Sequence, residues 1–121
     1  MDVVDYGIYT DRSEPTLIQQ SDSVPGVVGT VFGIRVRSNA EQPVMISFRW
    51  SFPEMQNPDS GQVWTEMTGT RELTKGDDPS FFVRINHDWE AVPGEWTIRL
   101  LDGDRVVVEK TFHVFAPEDS K

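Results

Sequence analysis

The sequence predicts an all-β domain, and three observations carry that reading. The first is composition. Of 121 residues, 15 are Val, 6 are Ile and 9 are Thr, whereas Leu and Ala together supply only 7. β-Branched side chains lose rotamer freedom in a helix and pack well on a pleated sheet. The second is punctuation: eight Pro and nine Gly recur at short intervals and mark turns. The third is periodicity. Val44, Ile46, Phe48, Trp50 and Phe52 alternate with Met45, Ser47, Arg49 and Ser51. That repeat of two is a strand signature, because a helix repeats near 3.6 residues.

The elements follow in order. Val3 to Tyr9 reads as a first strand with Val4, Tyr6 and Ile8 inward, and Gly7 suggests a bulge or a close backbone approach. Thr16 to Gln20 is a short strand, and Ser21 to Gly29 a turn-rich connection. Thr30 to Arg37 turns Phe32, Ile34 and Val36 to one face and Arg35 and Arg37 to the other. After Val44 to Phe52, Pro53 is expected to break the ladder, because proline has no amide to donate. Gln62–Thr68 and Thr70–Thr74 read as two weaker strands flanking Gly69. Ser80 to Asn86 places Phe81, Val83 and Ile85 inward, and Glu95 to Leu101 does the same with Trp96, Ile98 and Leu100. Asp102-Gly103 reads as a two-residue hairpin turn with positive φ at both positions. Arg105 to Phe115 closes the fold with Val106, Val108, Phe112 and Val114 inward; Lys110 interrupts that face, so a bulge or an exposed strand end is expected there.

Strands this short, each with one apolar face, assemble into an immunoglobulin-like antiparallel β-sandwich of about 7–9 strands. Residues 1–121 make one domain, with an ordered core over about 3–115 and a polar tail over 116–121. A small closed barrel is the competing architecture. A chain of this size buries roughly two-thirds of its unfolded surface, enough for a core without staples.

Charge and composition exclude several functions. Eleven basic against twenty acidic residues leave a net charge of −9, which repels phosphate backbones and anionic lipids. No basic patch exceeds Arg35 with Arg37, so nucleic acid is not an expected partner. No apolar run approaches the roughly 20 residues of a membrane helix. The absence of cysteine removes disulfides, thiolate metal sites and thiol nucleophiles. Met1-Asp2-Val3-Val4-Asp5 carries neither a basic nor an apolar leader region. The chain as given therefore reads as cytoplasmic by default, and as periplasmic or exported if a leader has been removed.

Few residues suggest chemistry. His113 alternates with Phe112 and Val114 and is expected to face outward. His87 lies in Asn86-His87-Asp88-Trp89-Glu90, but its spacing to Asp88 and Glu90 matches no metal site. No serine has a histidine and acid partner, and Asp77-Asp78 and Asp102/Asp104 sit on turns, where aspartate serves the backbone. No EF-hand pattern calls for calcium. No cofactor and no metal are expected. Trp50 and Trp96 alternate with apolar neighbours and read as core. Trp64 lies on a weak strand and Trp89 in an acidic loop, so Trp64, Trp89 and His87 are the candidate binding residues.

Four segments carry a family resemblance: Tyr6-Gly7-Ile8-Tyr9, Gly29-Thr30-Val31-Phe32-Gly33, Phe52-Pro53 and Val92-Pro93-Gly94-Glu95-Trp96-Thr97. With the closing stretch Gly103 to Val114, the chain resembles a family of small bacterial domains of unknown function over Val3 to Val114. The resemblance implies a β-sandwich, often exported or envelope-associated, with no catalytic residues to carry over. The motifs have a physical reading as well: the glycines permit close approach, and Pro93 sets φ before Trp96 enters the core.

These observations favour a non-enzymatic interaction module. The connections Asp11–Gly29 and Pro53–Gly61 are long enough to host recognition, and an edge strand offers a protein partner or a second copy an unpaired ladder. A carbohydrate-binding module using Trp64 and Trp89 is the alternative, by analogy with other sandwiches. An enzyme built on carboxylates ranks below both, because it needs a concave site with two acids or with His87 and acids.

Overall fold

The alternation beginning at Val44 becomes the longest strand of the fold. A computed structural model describes residues 1–13, 15–39 and 41–116. Its strands are β1 (Asp2–Tyr9), β2 (Leu17–Gln19), β3 (Ser23–Pro25), β4 (Val31–Arg37), β5 (Val44–Gln56), β6 (Val63–Leu73), β7 (Ser80–Arg84), β8 (Gly94–Asp102) and β9 (Arg105–Phe115). One 3-10 turn, Asp88–Glu90, separates β7 from β8. The strands form two sheets, in the orders β2-β1-β4-β7 and β3-β9-β8-β5-β6. This is the expected all-β sandwich. One pairing is not antiparallel: β3, inside the connection read as turn-rich, runs parallel to β9. Of the polar tail at 116–121, residues 117–121 lie outside the described residues.

Aromatic rings fill the space between the sheets. Phe32 meets Trp50, Trp96 and Phe112 edge-on at centroid distances of 5.6, 5.6 and 5.5 Å. Phe52 stacks on Trp96 at 4.7 Å. Edge-on and offset contacts suit the ring quadrupole, so this cluster adds directional packing to simple burial. Trp96 also donates its indole N–H to the Val92 carbonyl at 2.9 Å, which satisfies its polar end.

Several local expectations are corrected. Pro53 does not end its strand; β5 runs to Gln56, with a register shift against β6 between Ser51 and Met55 that accommodates the proline. Gly69 does not divide β6; it pairs with Phe48, whose ring occupies the space a side chain would need. Val4 is exposed, since the β1–β4 register shifts between Val3 and Asp5 and releases it from the inward face. Val106 is also exposed, beyond a shift between Leu100 and Leu101. Lys110 faces inward opposite Ile98 without a shift at its own position; its ammonium sits 3.9 Å from the centre of the Tyr6 ring. The last hairpin turns at Gly103-Asp104, because Asp102 still pairs with Arg105 and only Gly103 takes positive φ, at 64°. Glycine at the first central position marks a type II′ turn rather than type I′.

Gly7 and Gly94 show why the Tyr6–Tyr9 and Val92–Thr97 segments contain glycine. Gly7 lies directly opposite Gly33 in the β1–β4 ladder, and a Cβ on Gly7 would collide with the Gln19 carbonyl of β2. Gly94 has φ 132°, and a Cβ there would lie 2.7 Å from Cγ of Pro53. The Phe52-Pro53 and Pro93-Gly94 segments therefore meet in space, with Phe52 stacked on Trp96 immediately behind them.

Candidate functional site: an open groove between two strand edges

Sheet order places β6 at one edge of the five-stranded sheet and β7 at one edge of the four-stranded sheet. Between these edges the sandwich is open. The opening is a groove of about 490 Å³ that brings Met55, Trp64, Met67, Phe82 and Trp89 together. An adjoining part of about 440 Å³ runs along Phe48, Trp50, Met67, Arg71 and Phe81.

Register explains why apolar side chains collect there. Met67 pairs with Trp50 and Trp64 with Met55, so both β6 residues take the inward face of their sheet. Trp50 is 1% exposed and Met67 is 44% exposed. The difference is what lies opposite. Phe32 and Phe112 cover Trp50, whereas Met67 sits at the open edge.

The three sequence candidates come together at one end of this groove. Trp64 and Trp89 are half-buried and stacked, with centroids 5.7 Å apart and planes 16° apart. His87 is exposed and stacks on Trp89 at 5.4 Å. The Glu90 carboxylate accepts the amides of Asn86 at 2.7 Å and His87 at 3.0 Å, which pins the 3-10 turn beneath Trp89. Of the two connections expected to carry recognition, Asp11–Gly29 contains β2 and β3, and the first part of Pro53–Gly61, through Gln56, belongs to β5. The groove is formed by strand edges instead.

Two residues of the groove carried no sequence signal. Met67 faces inward opposite Trp50. Arg71 pairs with buried Ile46 and faces inward. Its Nη1 donates to the Ser80 carbonyl of β7 at 2.8 Å, and its guanidinium lies 4.8 Å from the Phe81 ring centre. Only a register assignment for β6 would have revealed either position.

Other charges nearby are engaged. Arg84 pairs with Asp11 at 2.8 Å, and Glu66 lies 3.9 Å from Arg49. Behind β7, Phe82 packs on Tyr9 at 4.2 Å on the outer face of its sheet. Tyr9 donates to Asp5, and Arg35 pairs with the same carboxylate at 2.6 Å. Burial, followed by the hydrogen bond to Asp5, pushes the Tyr9 hydroxyl above its ordinary value. Burial pushes the Asp5 carboxyl up, but hydrogen bonds from Arg35 and Tyr9 and the charge of Arg35 together outweigh it and leave Asp5 below its ordinary value. This cluster braces the strands behind the groove.

Among the described residues, no group of three or more His, Cys, Asp or Glu side chains is arranged to hold a metal. The groove offers apolar surface, aromatic faces and strand edges, with Arg71 and Arg84 on its lining.

The comparisons with known proteins agree with this fold. An immunoglobulin-like protein from Pseudomonas aeruginosa, known from its crystal structure, superimposes with a TM-score of 0.78 at 29% identity, covering 92% of this chain and 90% of that one. Among curated proteins, none matches this chain. A family of domains of unknown function matches residues 1–114. With a match over nearly its whole length, the chain belongs to the family described as Domain of unknown function (DUF3859).

Proposed function

We propose that this chain is a non-enzymatic binding module whose ligand surface is the groove between β6 and β7. The observation that carries the reading is Met67: an inward-facing apolar residue, opposite a fully buried tryptophan, left 44% exposed. Exposed apolar surface that continues a core marks a place where something docks. The stacked Trp64 and Trp89 extend the same surface. The groove's carboxylates, Glu66 and Glu90, are taken up by Arg49 and by backbone amides. That arrangement supports binding over acid–base work, which needs a free and properly tuned acid.

Protein-observed NMR with a library of small apolar fragments tests this. The expected result is that amide shifts concentrate on Trp64, Met67, Phe82, Arg84 and Trp89. Fragments that scatter over the outer sheet faces, or that bind nowhere, would overturn the reading.

A further inference from the structure

We infer that the groove receives an extended peptide segment of a partner protein, added as a further strand to the free edge of β7, with a carboxylate placed on Arg71. This rests on the groove being the binding surface. The β4–β7 ladder fixes which groups are free. Val36 donates to the Pro79 carbonyl and Ile85 donates to the Thr30 carbonyl, so the odd-numbered residues of β7 face β4. Backbone groups alternate sides along a strand, so those of Ser80, Phe82 and Arg84 face the opening. Arg71 already uses one of them. Its Nη1 reaches across from β6 to the Ser80 carbonyl and stands where a strand amide would stand. The remaining edge groups call for peptide amides and carbonyls, which an apolar small molecule lacks.

The two sheets are unequal in the same place. The sheet ending in β7 has four strands and faces one of five. A fifth strand beside β7 would lie opposite β6 and cover Met67 and Trp64 with its alternate side chains.

Charge names the chemistry of the segment. Arg12 and Arg71 are the described arginine and lysine side chains without a carboxylate partner, and Arg71 lies in the groove. A protein of net charge −9 that keeps a cation there fits a segment bearing an Asp, a Glu or a terminal carboxylate. A second copy is disfavoured because two chains of −9 repel.

The test is a selection of random twelve-residue peptides against the intact chain, followed by synthesis of those selected. Selected peptides are expected to alternate apolar residues, to carry at least one acid, and to protect the Phe82 and Arg84 amides from hydrogen exchange. Methylating alternate peptide nitrogens should weaken binding about tenfold or more, since it removes ladder hydrogen bonds. Arg84→Pro should weaken binding more than Arg84→Ala does, because only proline removes the edge donor. Arg71→Ala should weaken acidic peptides about tenfold and leave their Asn or Gln versions unchanged. Indifference to backbone methylation, or protection on another edge, would overturn the inference; the methylated peptides decide even if Arg84→Pro does not fold. Apolar fragments binding the groove while no peptide is selected would make it a small-molecule site and leave the binding-module reading standing. Concentration-dependent dimerisation that protects the same amides would make a second copy the occupant and would also overturn it.

Discussion

Met67 stands directly across the β5–β6 ladder from Trp50, yet the tryptophan is buried and the methionine is nearly half exposed. The pair lies on one face of one sheet. What separates them is coverage from the other sheet, which ends at β7. Substitutions should separate them equally. Trp50→Ala is expected to cost about 3–5 kcal/mol, as removal of a buried aromatic does, and Met67→Ser less than about 1 kcal/mol. Urea denaturation of both variants checks this. A large loss at Met67 would mean the groove is closed in solution.

Trp96 should behave as Trp50 does. It is 1% exposed, it stacks on Phe52, and its indole N–H is satisfied by Val92. Trp96→Ala is expected to lose about 3–5 kcal/mol. His113, exposed on the outer face of β9, supplies the contrast: His113→Ala should change stability by less than about 0.5 kcal/mol. Both values come from the same denaturation series.

Gly94 meets two constraints that a double substitution can separate. Gly94→Ala forces a side chain into φ 132° and into Pro53 Cγ, and should cost about 1–3 kcal/mol. In Pro53→Ala the contact is relieved but the dihedral is unchanged. The double variant should therefore recover part of the loss. Full recovery would show that the contact alone matters, and no recovery that the backbone alone does.

The Asp5–Tyr9–Arg35 cluster should shape stability at both pH extremes. The Asp5 carboxyl is lower in the folded chain than its ordinary value near 3.9, so below about pH 4 the unfolded chain binds more protons. Stability from Asp5 is therefore present above about pH 4 and falls away as pH drops through the lowered value. The Tyr9 hydroxyl is raised, so its contribution is present below about pH 10 and falls away as pH rises beyond it. Asp5→Asn should flatten the acid limb, and Tyr9→Phe the alkaline limb, in thermal melts taken across pH. Unchanged limbs would show that the cluster does not couple folding to protonation.

How far sequence reading reaches depends on range. Phe32, Trp50, Trp96 and Phe112 were legible as core, because a period of two marks a face without knowledge of the neighbour. Pro53 was misread because a register shift can accommodate a proline within a long strand, and such shifts have no local signature. Val4 and Val106 were misplaced for the same reason: one slipped residue reverses every face beyond it. Trp64, Trp89 and His87 were singled out as aromatics in polar surroundings. The stacking of Trp64 on Trp89 was not legible, because it joins β6 to a turn more than twenty residues away. Arg71 carried no signal at all.

The chain by itself determined its class, its inward faces over most strands and its aromatic centre. These follow from side-chain chemistry and from a periodicity that each segment expresses alone. The tertiary structure decided which strands end the sheets, where the registers slip and which apolar residues go uncovered. Those depend on pairings between segments far apart in sequence, and sheet order is a property that no single strand carries.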